Sequence, residues 1–179
     1  MIRNLIASFV LASLAVTAIG AEKSKPLASY NTIVLQPFTI DPELTKAKFP
    51  MDYENVLEKT LFARLLSERV FESVVDASLD PGALKAKSPR TLIASGEVVD
   101  FYKGNRAARV IVSYGVGSAR LKIAMVLRDA ETSKEVLRIE QEGSYAGFGN
   151  LTGGSAEKAR NESARKVVDG LMKKIKASK

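Results

Sequence analysis

The chain has 179 residues, 46% of them apolar and 26% charged, a balance that suits one globular domain. It contains no Cys and no His. That excludes disulfides, thiolate nucleophiles, imidazole bases and Cys- or His-ligated metals; with 27 Lys and Arg against 20 Asp and Glu the chain is basic, and anionic surfaces are its natural counter-charges.

Residues 1–21, MIRNLIASFVLASLAVTAIGA, place Arg3 before an apolar run from Leu5 and close on the small residues Ala18, Gly20 and Ala21. That is the layout of a secretory signal peptide. The run is marginal against the roughly 20 apolar residues a spanning helix needs. The expectation is therefore an exported, periplasmic chain, soluble and not lipid-anchored, with no Cys to carry a lipid. Export makes nucleic acid an unsuitable partner.

Residues 22–30 read as a flexible lead-in and 31–179 as a single α/β domain. A strand is expected over Thr32–Phe38, with Pro37 at its end or edge because proline cannot donate to a ladder. Residues 41–51 read as a loop bounded by Pro42 and Pro50. A helix follows over Asp52–Arg69, with Asp52 as its N-cap. Tyr53, Val56, Leu57, Thr60, Leu61 and Leu65 share one side, and Glu54, Glu58, Arg64 and Glu68 point to water. A short strand is predicted at Val70–Val75, a turn-rich piece over 76–90 with one helical turn at Gly82–Lys87, and a strand at Thr91–Tyr102.

Residues 103–118 are the least conventional stretch. Lys103, Arg106 and Arg109 precede the apolar run Val110–Val112 and Tyr114, with glycines at 104, 115 and 117. Cations beside apolar groups suit an interfacial contact with a partner or an anionic surface. Two alternating runs follow, 119–128 and 134–142. Pairing them with residue numbers summing to 262 sets Ile123 opposite Ile139, Met125 opposite Leu137 and Lys122 opposite Glu140, which satisfies both faces of a hairpin. A glycine-rich loop over 143–154 leads to a long helix, Ser155–Ala177, capped by Ser155.

Gly154 stands where a phosphate loop of the Walker type needs Lys, and Thr152 where a dinucleotide fingerprint needs Gly. What remains is a loop at a helix start, Gly153, Gly154 and Ser155, whose backbone N–H groups could meet an anion. The nearest carboxylate candidates, Asp52 with Glu54, Asp100, Glu97, and Glu140 with Glu142, read as solvated. No catalytic, metal-ligating or cofactor-binding residue is assigned, and no cofactor is expected. The element order predicts a two-layer α/β (α+β) sandwich, a mixed and mostly antiparallel sheet of about five strands with two helices on one face.

The segment 96–137 carries Gly96, Asp100, Phe101, the run Gly104 to Arg109, Gly115, Gly117, Arg128 to Ala130, Thr132 and Lys134. In these residues the chain resembles an uncharacterised Gram-negative envelope family, catalogued as domain of unknown function 4410. Ser133 takes the place of that family's usual Gly, which implies a less sharp turn. The resemblance implies an envelope location and a small α/β fold, and brings no activity with it. The expected function is a non-enzymatic periplasmic interaction module, accessory to an outer-membrane or secretion complex, meeting an envelope protein, an anionic envelope surface or another copy of itself. The alternative is a binder of a small anionic or lipid-like ligand through the glycine-rich loops and the basic run.

Overall fold

The computed structural model describes residues 25–46, 53–85, 88–102, 119–145 and 156–179. The segment 1–21 and the caps Asp52 and Ser155 lie outside these residues. Among the described residues six strands and three α-helices follow in order: β1 (Thr32–Leu35), β2 (Thr39–Ile40), α1 (Pro42–Lys46), α2 (Tyr53–Ser67), β3 (Ser73–Asp76), β4 (Thr91–Tyr102), β5 (Ala119–Asp129), β6 (Glu135–Tyr145) and α3 (Ala156–Ser178). One sheet holds all the strands in the order β3-β1-β4-β5-β6, with β2 also paired to β4. It is mixed, as expected. β1 runs parallel to both β3 and β4, β2 runs parallel to β4, and β4, β5 and β6 form an antiparallel meander.

The core lies between one sheet face and the helix pair α2–α3. Leu57, Leu61 and Leu65 of α2 and Val167, Leu171 and Ile175 of α3 are wholly buried against Ile33, Leu35, Ala94, Ile123, Met125 and Leu127 of the sheet. The helical spacing of those α2 and α3 residues and the alternation along the strands account for this layer. The two long predicted helices and the strand at Thr91–Tyr102 are in place. Among the described residues no helix is long and apolar enough to cross a membrane.

Several expectations need correction. The lead-in is not flexible from Leu27 onward: Leu27–Ser29 forms a 3-10 turn, and Leu27 and Tyr30 are buried in the core. The Tyr30 hydroxyl donates to Asp129 Oδ2 at 2.8 Å. The strand from Thr32 breaks at Gln36–Phe38 and resumes as β2, because Pro37 has no N–H to give, while Gln36 N still donates to Ala94 O at 2.9 Å. The expected loop 41–51 begins with helix α1. Asp41 Oδ1 accepts the Glu43 N–H at 2.9 Å, and Pro42 is the first helical residue rather than a boundary. The strand after α2 starts at Ser73, not Val70, and the helical turn sits at Pro81–Leu84 rather than Gly82–Lys87.

The hairpin is real, but its register is offset by two residues from the expected one. Met125 stands opposite Ile139, Leu127 opposite Leu137, Ile123 opposite Gln141 and Lys122 opposite Glu142. The turn is the four residues Ala130–Ser133, and an irregularity at Leu127/Arg128 adds one residue on β6. An even offset keeps every side chain on its own face, so the apolar pattern cannot detect it. The sharp turn survives without glycine, since Ser133 itself adopts φ 59° and its N–H donates to Asp129 O at 2.8 Å. That left-handed conformation explains why the family pattern prefers Gly there.

Lys122 Nζ still reaches Glu140 Oε2 at 2.6 Å, now along the diagonal rather than straight across. The hydrogen bond between them, followed by their Coulomb attraction, raises the Lys122 pKa and lowers that of Glu140. Reversing both charges together should therefore preserve more stability than reversing either alone. In paired denaturant titrations the difference should shrink in high salt, as screening requires; equal, salt-independent losses would show that the two residues act separately.

The β6 edge is closed by α3. Lys166 Nζ donates to Ser144 O at 2.9 Å, and Lys174 Nζ donates to Glu140 O two helical turns later. Cations that occupy edge carbonyls block strand addition there.

Candidate functional site

β1 and β3 finish together at Leu35 and Asp76, level with Ala94 of β4, and β4 runs on eight residues further to end at Tyr102. In open α/β sheets ligands and partners favour the carboxyl ends of parallel strands, where loops converge.

The sequence-predicted contact residues Lys103, Arg106, Arg109 and Tyr114 lie outside the described residues, as do Gly153, Gly154 and Ser155 of the predicted anion loop. Their points of attachment are described. Tyr102 pairs with Arg120, Ala119 pairs with Tyr145, and α3 starts at Ala156. The two segments that sequence reasoning singled out therefore both spring from this same sheet end. Tyr102 is exposed, with the Arg120 guanidinium 5.9 Å from its ring centroid. A bulge between Val98 and Asp100 lets Asp100 stand opposite Lys122 and turns Phe101 toward Leu121 and the core.

Near the ends of β1 and β3, well short of Tyr102, lies a buried acid that the helical pattern had sent to water. Glu58 is only 6% exposed. It sits beside Leu57 and one turn before Leu61, on the stripe facing the sheet, and that position was the available signal. Its carboxyl faces Asp76, Ser78 and the backbone of Phe38. Burial, then the Asp76 charge, push its pKa up. Asp76 Oδ1 accepts both the N–H of Ser78, at 2.8 Å, and its hydroxyl. Phe38 is itself buried, and its ring fills the space where a Cβ on Gly96 would stand.

A surface groove of about 650 Å³ runs between α2 and α3, lined by Lys59, Thr60, Ala63, Arg64, Arg165 and Asp169. Its main cation is internally compensated: Arg64 bonds Asp169 at 2.9 Å and Glu68 at 2.8 Å. Of the β6 carboxylates, Glu140 and Glu142 are both exposed, and Glu140 is paired with Lys122. Among the described residues no group of three acidic, His or Cys side chains is placed to hold a metal ion.

A family model described as a domain of unknown function, DUF4410, matches residues 33–149. No curated protein matches the chain. Among solved structures, the fold is similar to a PelC dodecamer from Paraburkholderia phytofirmans, with 11% identity, TM-score 0.51, and 82% of this chain and 91% of that chain covered. A singly substituted form of the same dodecamer gives 13% identity, TM-score 0.53, and coverage of 83% and 94%. The lipoprotein GNA1162 from Neisseria meningitidis aligns with 12% identity, TM-score 0.45, and coverage of 82% and 99%. Several of the similar solved chains are described as lipoproteins, which runs against the expectation of a soluble periplasmic protein that is not lipid-anchored, and that expectation is withdrawn.

Proposed function

Because this chain belongs to the DUF4410 family of unknown function, we propose that it is a non-enzymatic interaction module of the cell envelope, exported by residues 1–21, that associates with further copies of itself within an outer-membrane or secretion complex. The carrying observation is topological: the basic, glycine-rich segment 103–118 and the segment before α3 both spring from the sheet end where Tyr102, Ala119 and Tyr145 lie together. The contacts fall to Lys103, Arg106, Arg109 and Tyr114, cations beside apolar groups. Self-association draws support from the likeness of fold to the dodecameric PelC. A second reading takes a small anionic ligand at Gly153, Gly154 and Ser155, and is supported by their place just before the 23-residue helix α3.

The test is the double variant Arg106→Ala/Arg109→Ala. Its melting temperature should stay close to that of the parent, since surface changes usually shift stability by less than about 0.5 kcal/mol. Its self-association, read by sedimentation and by crosslinking in native envelopes, should weaken and lose salt sensitivity. Early melting with unchanged association per folded molecule would make the arginines scaffolding instead. Intact association together with lost binding of inorganic phosphate would favour the second reading.

A further inference from the structure

Helices α2 and α3 present facing ridges. Lys59 and Ala63 stand one turn apart on α2, and Arg165 and Asp169 one turn apart on α3. The groove of about 650 Å³ lies between them, with Thr60 and Arg64 completing its lining. Ala63 carries only a methyl group, so the space between the ridges stays open. That volume suits a molecule of headgroup size, since small-molecule sites run to roughly 300–1,000 Å³.

The charges in the groove do not cancel. Arg64 Nη2 meets Asp169 Oδ1 at 2.9 Å and Glu68 Oε1 at 2.8 Å, and Lys176 meets the other oxygen of Glu68. Those two cations and two carboxylates balance one another. Lys59 and Arg165 are left over, one on each wall. Lys59 is exposed and has no acidic partner among the described residues. The Arg165 side chain is 67% exposed, and Glu162, one turn back on the same helix, stands 3.9 Å from it. Both ion pairs of Arg64 use Nη2, and its Nε–H, shielded from solvent, has no acceptor. A shielded donor of this kind points to an ion or a water beside it.

We propose that the α2–α3 groove binds a phosphate ester of headgroup size, with the phosphate held between Lys59 and Arg165. A guanidinium offers parallel donors to phosphate oxygens, and an ammonium adds a compact point charge. The Arg64 bonds tie α2 to α3, so the two free cations keep their spacing before any anion arrives. Thr60 is not a donor to the ligand, because its hydroxyl already donates to Val56 O at 2.6 Å. The site uses neither segment 103–118 nor Gly153–Ser155, and it goes beyond the self-association reading. Phosphate esters of this size occur both free in solution and on lipids, and the experiment separates the two sources.

The test uses the full chain with two probes: glycerol 3-phosphate, and vesicles of phosphatidylcholine with or without phosphatidylglycerol. Amide shifts on adding glycerol 3-phosphate should centre on Thr60, Ala63 and Asp169. Lys59→Gln/Arg165→Gln should weaken binding about tenfold or more, because hydrogen bonds to charged groups are the stronger kind. Lys85→Gln/Arg128→Gln removes two exposed cations that do not line the groove. This control should bind within about twofold of the parent, as distant exposed charges are screened. Binding of the soluble probe assigns a free phosphate ester. Capture by phosphatidylglycerol vesicles alone, lost in the Lys59/Arg165 variant, assigns a lipid headgroup. Failure of both probes to bind, or equal losses in the groove variant and the control, would overturn the site. Glycerol 3-phosphate binding that survives Lys59→Gln/Arg165→Gln would also overturn it, and would leave the anion to Gly153, Gly154 and Ser155. Self-association should be unchanged in the groove variant, so the two proposals fail separately.

Discussion

Gly143→Ala should lower the melting temperature by about 10 °C, corresponding to about 3 kcal/mol in a domain of this size. Gly143 lies in β6 directly under α3, and a Cβ there would stand 2.6 Å from Val167 Cγ2, 2.7 Å from the Ser163 carbonyl oxygen and 2.9 Å from Val167 N. Two of these three atoms are helix backbone, so no rotamer change relieves the clash. The helix must lift, and lifting it loosens Val167, Leu171 and Ile175 together. The lysines that hold α3 to β6, Lys166 on Ser144 O and Lys174 on Glu140 O, resist that movement. Val167→Ala removes only the Cγ2 contact and should rescue little of the loss. Calorimetry on the single and double variants checks both points; a Gly143→Ala protein melting within about 2 °C of the parent would show that α3 slides freely on the sheet.

Asp129→Ala should cost about 3 kcal/mol and Tyr30→Phe about 1 kcal/mol. Asp129 is buried at the end of β5. Its Oδ1 accepts the N–H groups of Glu131 and Thr132 at 2.9 Å each, and its Oδ2 accepts the Tyr30 hydroxyl at 2.8 Å. Lys25 approaches at 3.4 Å. Alanine strands all these donors, whereas phenylalanine at 30 removes a single bond and leaves the turn capped. Burial alone would raise the Asp129 pKa, but the Thr132 N–H, the Tyr30 hydroxyl, the Glu131 N–H and the Lys25 charge together hold it well below the carboxylate range. A carboxyl depressed in this way contributes stability above its unfolded pKa and loses it as pH falls. The parent should therefore weaken steeply below about pH 4, and Asp129→Asn should show a shallower acid limb in urea titrations. Burial, then the Asp129 bond and charge, raise the Tyr30 pKa, so the phenol remains a donor through neutral pH. Parallel acid limbs for parent and Asp129→Asn would remove Asp129 from the acid response.

The elements with a strong period were legible from the chain alone. Helix α2 with Leu57, Leu61 and Leu65, helix α3 with its Val167–Leu171–Ile175 stripe, strand β4 and the two arms of the hairpin all carry an apolar pattern that only one kind of element satisfies. The segment 96–137 also carried enough of the family pattern to identify it, and residues 33–149 match its model. Absent chemistry was equally legible, because a chain with no Cys and no His cannot build thiolate or imidazole sites.

Other features depend on what lies across the fold. The offset register of β5 and β6 was invisible because a two-residue slip preserves both faces, and only the Asp129-capped turn and the extra residue near Leu127 choose between the alternatives. The lead-in looked unstructured because its order comes from Tyr30 reaching Asp129, 99 residues later. Glu58 looked solvated because a carboxylate in a helical pattern is normally placed in water, and its burial follows from Asp76, Ser78 and Phe38 meeting it from other elements. The gathering of the 103–118 and 146–155 attachment points at one sheet end is likewise a product of strand order. Local periodicity reports what each segment must bury, while partners distant in sequence decide which polar groups are buried with it and where the loops converge.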